Sequence, residues 1–140
     1  MSDAASPMPL PTTTDVIVCT TCRPAGAPRD LPASGELLFE AVQMAQLEDD
    51  AGAWAQVRVR GVACLSSCGR ACSVAFQAPG KHTFVFGDLK PDDETARHVL
   101  ECGAMHARAS DGMLNRNERP ARLKSGIVAR LPPFVPTPTG

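Results

Sequence analysis

The chain of 140 residues lacks any long apolar run. A membrane-spanning helix needs about 20 predominantly apolar residues in succession, and no segment of the sequence approaches that length. The first residues, Met1–Thr14, contain neither a basic start nor the apolar stretch of a secretory signal peptide. The sequence therefore predicts a protein that does not bind membranes and that stays in the cytoplasm.

Signatures of nucleotide, acid–base and nucleic-acid chemistry are also missing. Neither G-x-G-x-x-G nor G-x4-G-K-[ST] occurs, and the carboxylates cluster at predicted helix starts, where the helix dipole and solvation explain them. Residues 106–140 are basic, with six Lys/Arg against two Asp/Glu, but the only aromatic residue among them is Phe134. Because nucleic-acid grooves interleave dense basic faces with stacking rings, we predict no nucleic acid, and instead a solvated segment or a docking arm for an acidic partner.

Cysteine, in contrast, is plentiful, and five of the six cysteines stand in two tight groups. The first group is Cys19-Thr-Thr-Cys22, and the second is Cys64-Leu-Ser-Ser-Cys68-Gly-Arg-Ala-Cys72. In a reducing compartment, thiols at C-x2-C spacing are more often ligands or redox groups than structural disulfides. Four thiolates brought together from two loops suit a soft metal ion or an iron–sulfur cluster.

The hydrophobic pattern predicts five main secondary-structure elements around these groups. Period-two patterns indicate strands, and apolar residues at three- and four-residue spacing indicate helices. Leu37 and Met44 are counted with the apolar stripe of the first helix. In chain order the elements are a strand at Asp15–Val18, a helix from its N-cap Ser34 to about Glu48, a strand at Trp54–Arg60, a hairpin of Ser73–Ala78 and Thr83–Phe86, and a helix from Pro91 to Met105 or His106.

This order predicts an α/β (α+β) domain with a thioredoxin-like fold, in which a β-α-β unit precedes a β-hairpin and a helix. The small mixed sheet is flanked by helices, and the two cysteine groups lie at the ends of neighbouring strands. We predict a disordered N-terminal segment at residues 1–14 and a metal-binding domain at 15–110. A basic, proline-rich C-terminal extension follows at 111–140, with one short element around Arg122–Leu131.

The second cysteine group carries a family resemblance. The stretch Val62–Val74 resembles the second cluster loop of thioredoxin-like [2Fe-2S] ferredoxins, which have Cys-Leu-Gly-x-Cys ahead of a proline step into the hairpin, and the likeness extends over about residues 15–105. The chain also resembles a bacterial family of unknown function described as predicted metal-binding proteins. The residues that carry this second resemblance are Cys19-x-x-Cys22-Arg23, Gly80-Lys81, Phe86-Gly87-Asp88-Leu89, Arg119-Pro120 and Arg130-Leu131-Pro132-Pro133.

The ferredoxin resemblance implies that Cys64 and Cys68 form one ligand pair of a [2Fe-2S] cluster, with Cys19 and Cys22 in the place of the other. Each iron of such a cluster takes two thiolates, so one pair per loop suffices. The chain departs from the family in two ways. Only two residues separate the first pair, where the family has four or more, and Cys72 replaces the family's proline and is an alternative ligand. A Zn²⁺ site on the same four cysteines and a dithiol oxidoreductase using Cys19 and Cys22 therefore stay open.

We thus predict a small metal-binding protein that acts as an electron-transfer module rather than as an enzyme. Its partner is a redox or metal-handling protein, and its oligomeric state is open, with a homodimer as one option. The second predicted helix also carries His98, Cys102 and His106 at four-residue spacing. We predict one packed cysteine and two surface histidines there, not a second metal site.

Overall fold

The computed structural model describes residues 13–66 and 68–134. Most of the predicted N-terminal segment and the end of the predicted C-terminal extension lie outside these residues. The helices and strands are β1 (Thr14–Cys19), α1 (Ser34–Leu47), β2 (Val57–Val62), β3 (Val74–Gln77), β4 (Thr83–Phe86), α2 (Asp93–Arg108) and β5 (Ile127–Leu131). Short 3-10 turns occur at Cys68–Arg70, Arg116–Glu118 and Ala121–Leu123.

The five strands form one mixed sheet in the order β2-β1-β3-β4-β5. Strands β1 and β2 are parallel, as a β-α-β unit requires, and the other neighbours are antiparallel. This arrangement confirms the predicted β-α-β unit followed by a hairpin and a helix. In the parallel register Cys19 lies opposite Val62, so the chain leaves both strands at the same edge of the sheet. The two cysteine groups begin at that edge.

The core lies between one face of the sheet and the two helices. Phe76, Phe84 and Phe86 are the largest fully buried side chains, and the rings of Phe76 and Phe86 meet edge to face with centroids 5.7 Å apart. The helices contribute further fully buried residues, namely Leu38, Val42, Val99 and Leu100. Burial of these aliphatic and aromatic side chains is the main favourable term in folding the domain.

Helix α1 differs from the prediction in its N-cap residue and in which of its apolar side chains face the core. Its N-cap is Ala33, which makes no side-chain capping bond, and Ser34 is the first helical residue. Leu38 and Val42 face the core, but Leu37 is 40% exposed and Met44 is 57% exposed. The predicted apolar stripe was therefore wrong at these two positions, because α1 presents a narrower face to the core than its composition indicates.

Helix α2 is capped by Asp92, whose side chain accepts a hydrogen bond of 2.8 Å from the Thr95 amide. Cys102 is fully buried on this helix, which confirms its predicted packing role. The prediction of a surface position for His106 was wrong, because this side chain is also fully buried. Its Nδ1 lies 2.8 Å from Thr14 Oγ1, and its Nε2 lies 2.6 Å from the His82 carbonyl oxygen.

Part of the segment predicted as a C-terminal extension contributes to the domain. Leu114 and Leu123 belong to the same core cluster as the sheet and helices, and β5 pairs antiparallel with β4. Arg119 is 5% exposed, with its guanidinium carbon 5.5 Å from the centre of the Phe86 ring. Within the described residues, neither long helix has the length and apolar character needed to cross a bilayer.

Candidate metal centre

Hydrogen bonds join the two cysteine loops where they leave the parallel strands. The Thr20 amide donates to the Val62 carbonyl at 2.8 Å, and the Thr20 hydroxyl donates to the same oxygen at 3.1 Å. The Thr21 hydroxyl donates to the Ala63 carbonyl. The loop that carries Cys19 and Cys22 is thus fastened to the loop that begins before Cys64.

The start of α1 packs directly against the first cysteine loop. The Gly35 amide donates to the Cys22 carbonyl at 3.0 Å, and a Cβ atom at Gly35 would overlap the carbonyl oxygen of Cys19. Only glycine allows this approach of helix and loop. Sequence reasoning missed Gly35, since the loop Arg23–Pro32 separates the cysteines from the helix along the chain.

The thiols of Cys19 and Cys22 converge at a buried position. Their sulfur atoms lie 2.9 Å apart, and the residues are 1% and 3% exposed. This separation exceeds a disulfide bond of about 2.05 Å. Two thiolates bound to one tetrahedral ion at about 2.3 Å would lie roughly 3.8 Å apart. To bind one ion as a pair of ligands, the two sulfur atoms therefore have to move about 1 Å further apart.

Ionisation of this pair is unequal. Burial raises the pKa of the Cys22 thiol to about 12, and its hydrogen bond to Cys19 and the charge of Cys19 act in the same direction. Burial also acts to raise the pKa of Cys19, but hydrogen bonds from Cys22 and from the backbone of Thr21 and Leu65 outweigh it, so the pKa of Cys19 is lowered. In the metal-free pair Cys19 therefore loses its proton before Cys22.

The cysteines of the second loop occupy different environments. Cys64 is exposed, and its sulfur accepts a hydrogen bond from the Ser66 amide at 3.2 Å. Cys68 opens the 3-10 turn Cys68–Arg70, and its side chain lies outside the described part of the structure. Cys72 is 1% exposed, follows a cis peptide bond and exchanges two backbone hydrogen bonds with Leu89. Burial, and then the charge of Cys19, raise the pKa of Cys72 to about 11.

An ion pair also supports the second loop, and sequence reasoning did not identify it. Arg70 lies 2.7 Å from the carboxylate of Asp88, and the Asp88 amide donates to the Arg70 carbonyl at 2.8 Å. Asp88 adopts a φ of 62°, a left-handed conformation that Asp tolerates better than most residues. Eighteen positions separate the two residues, so no local pattern reveals the contact.

The chain matches one protein family in sequence and resembles a solved structure in fold. A family profile described as "protein of unknown function (DUF1636)" matches residues 16–133. The chain belongs to this family. Among solved structures, a thioredoxin-like [2Fe-2S] ferredoxin from Aquifex aeolicus superposes with a TM-score of 0.54 at 18% identity, covering 88% of this chain and 97% of the ferredoxin chain. At this identity the likeness shows the thioredoxin-like fold. No curated protein matches the sequence significantly.

The predicted ligands of this DUF1636 member are partly assembled. Cys19 and Cys22 are brought together, and the loop of Cys64 and Cys68 lies beside them. Among residues 13–66 and 68–134, no group of three or more Cys, His, Asp or Glu side chains is close enough to hold a metal ion. The donor set itself fits a soft metal, since all four predicted ligands are thiols. The ligand assignment stays a prediction.

Proposed function

We propose that this protein holds a [2Fe-2S] cluster on Cys19, Cys22, Cys64 and Cys68 and carries electrons to a protein partner. The observation that carries the proposal is the convergence of two buried thiols, 2.9 Å apart, beside a hydrogen-bonded loop that bears the second pair. Each iron of the cluster takes two thiolates, and each loop offers one pair. The fold shared with a [2Fe-2S] ferredoxin supports the same assignment.

The surroundings of the thiols suit an electron carrier. When bound, the cluster supplies reversible one-electron chemistry. Cys19 and Cys22 are buried from water. Cys64 is exposed, which puts one ligand of the cluster at the surface, where a partner protein can approach it. Backbone amides hydrogen-bond the sulfur atoms of Cys19 and Cys64. Such bonds stabilise negative charge on the ligands and tune the reduction potential.

The first alternative is a zinc site on the same four cysteines. Thiolates at C-x2-C spacing readily bind a single tetrahedral ion. Cys19 and Cys22 have this spacing, whereas the first cysteine pair of the resembling ferredoxins is more widely spaced, and this difference favours zinc. Zinc has no redox chemistry, so the protein would then store, deliver or be stabilised by the metal.

The second alternative is a dithiol oxidoreductase, and the ionisation of the first pair favours it. The lowered pKa of Cys19 and the raised pKa of Cys22 match an attacking thiol and a resolving thiol. Burial argues against it, because thiol–disulfide exchange needs access to the attacking sulfur and Cys19 is 1% exposed. The dithiol oxidoreductase is therefore the least favoured of the three functions.

Anaerobic purification with metal and sulfide analysis separates the three functions. The cluster predicts a red-brown protein with two irons and two sulfides per chain, whose visible absorption bleaches with dithionite. A colourless protein with one zinc per chain identifies the first alternative. A metal-free protein that cycles one disulfide between Cys19 and Cys22 identifies the second.

Single substitutions test the ligands. Cys64→Ser and Cys68→Ser should each abolish retention of the native metal, because each removes one of four thiolates. Cys102→Ser is the matched control, since Cys102 is fully buried within α2 and should leave the metal in place. Full metal occupancy in both loop variants would falsify the four-cysteine site. If Cys64→Ser and Cys72→Ser remove the metal and Cys68→Ser does not, Cys72 takes the place of Cys68 as the fourth ligand.

A further inference from the structure

The segment that contains α1 carries charge of one sign only. From Asp30 to Val57 the sequence has six carboxylates and no lysine or arginine. Three of these carboxylates, Glu48, Asp49 and Asp50, stand together at the C-terminal end of α1. This density of unbalanced charge occurs in a chain whose total formal charge is only −1.

The position of these three carboxylates is unfavourable for the helix. The C-terminal end of a helix carries the negative end of its dipole, where cations are stabilising and anions are not, and the last turn of α1 has no basic residue. Asp49 has a local role, because its carboxylate accepts hydrogen bonds from the Ala53 and Trp54 amides. Among the described residues, Glu48 and Asp50 form no salt bridge. Local features that oppose stability without compensation are expected at functional sites.

A groove with an apolar floor adjoins these carboxylates. It has a volume of about 360 Å³, and its apolar lining is Ala41, Met44, Ala45, Ala51 and Trp54. Met44 is 57% exposed, and Leu47, one helical turn further along α1, is 78% exposed. Asp93 and Arg97 of α2 form the opposite rim, so four carboxylates and one cation surround the groove.

We propose that this acidic-rimmed groove is a docking surface for a protein partner that presents an apolar side chain surrounded by lysines or arginines. Charge complementarity selects this occupant. Carboxylates attract a basic protein surface and repel both nucleic-acid phosphates and anionic lipid, while Met44, Leu47 and Trp54 offer the apolar contact that an interface core needs. The proposal goes beyond the proposed function and does not depend on which metal the cysteines hold.

The single tryptophan of the chain provides a direct assay. Trp54 lines the groove, and the sequence has no tyrosine to obscure its emission. The probe is a synthetic amphipathic helical peptide of leucine and lysine, and its control is the same peptide with glutamate in place of lysine. The lysine peptide should change the Trp54 emission with an affinity that weakens as salt is raised, because salt screens the rim charges. The glutamate peptide should produce no change.

Matched charge reversals show whether the groove is responsible. Glu48→Lys should weaken binding of the lysine peptide about tenfold at low salt, whereas Glu101→Lys, an exposed position on α2 outside the groove, should weaken it less than about twofold. Met44→Ser should also weaken binding. Glu48→Lys should raise the melting temperature, since lysine suits a helix C-terminus.

Three results overturn the proposal: equal effects of the two charge reversals, equal binding of the two peptides, or a dimer in sedimentation that Glu48→Lys dissociates. The last result would mean that a second copy of the chain fills the groove. Because the assay needs no bound metal, its failure is distinct from a failure of the four-cysteine site, which metal analysis of the Cys64 and Cys68 variants detects.

Discussion

Replacing Gly35 by alanine tests whether the start of α1 supports the cysteine loop. The added Cβ would overlap the Cys19 carbonyl oxygen and lie 3.1 Å from the Cys22 nitrogen. Because real Cβ atoms keep about 3 Å from such neighbours, helix and loop must separate by about 1 Å. Strain of this kind costs about 1–3 kcal/mol. Helix propensity alone would instead favour alanine by about 0.5–1 kcal/mol, so the two effects have opposite signs.

Strain and helix propensity predict opposite changes in stability, so the sign of the measured change distinguishes them. We expect the free energy of unfolding of Gly35→Ala, measured by urea denaturation, to fall by about 1–2 kcal/mol. Metal content should fall as well, because Cys19 and Cys22 move with their loop. Gly69→Ala is the matched control in the other cysteine loop, since its Cβ would meet nothing within 4 Å. A Gly35→Ala protein at least as stable as the unchanged protein, with full metal content, would refute the supporting role of this contact.

Three further measurements test the caps, the buried histidine and the thiols. Asp92→Ala should lower the free energy of unfolding by about 1 kcal/mol through loss of the α2 cap, whereas Ser34→Ala should change it little, because Ser34 is not the cap of α1. Burial lowers the pKa of His106 below 6.5, so the unfolded chain binds a proton that the folded chain excludes. Stability should therefore fall as pH drops below about 6.5, and a flat profile from pH 7 to 5 would contradict this. In the metal-free protein, iodoacetamide should alkylate exposed Cys64 first and buried Cys102 last, as peptide mass spectrometry can show.

The elements with strong local patterns could be predicted from the sequence. Strand β1 and the hairpin of β3 and β4 follow from short apolar runs and the Pro79-Gly80 turn, and the β-α-β order then sets the sheet and brings both cysteine groups to one edge. The C-terminal residues Leu114 and Leu123 were harder to predict, because they enter the core from 3-10 turns and loops that have no periodicity.

The surroundings of the candidate site and of His106 depend on contacts between distant parts of the chain. His106 is a polar residue near the end of a helix, and its burial follows from Thr14, 92 positions away, and from His82. The contact of Gly35 with the Cys19–Cys22 loop likewise crosses a loop of no regular pattern. Sequence spacing identified the thiols, but the residues that hold them in place become visible only in three dimensions.

Helix α1 connects the two proposed sites. Its first turn contacts the Cys19–Cys22 loop, and its last turn carries the acidic rim of the groove. Its 14 residues span about 21 Å at 1.5 Å per residue. A standard protein interface covers about 800 Å² on each partner, which corresponds to a patch roughly 30 Å across. A partner whose interface has one edge on the groove therefore extends over the length of α1 to the cysteine loops, whereas an interface centred on the groove extends only about 15 Å from its centre. A partner docked in the first way should shield Cys64 from alkylation, while the leucine–lysine peptide, when it occupies the groove alone, should leave the alkylation rate unchanged.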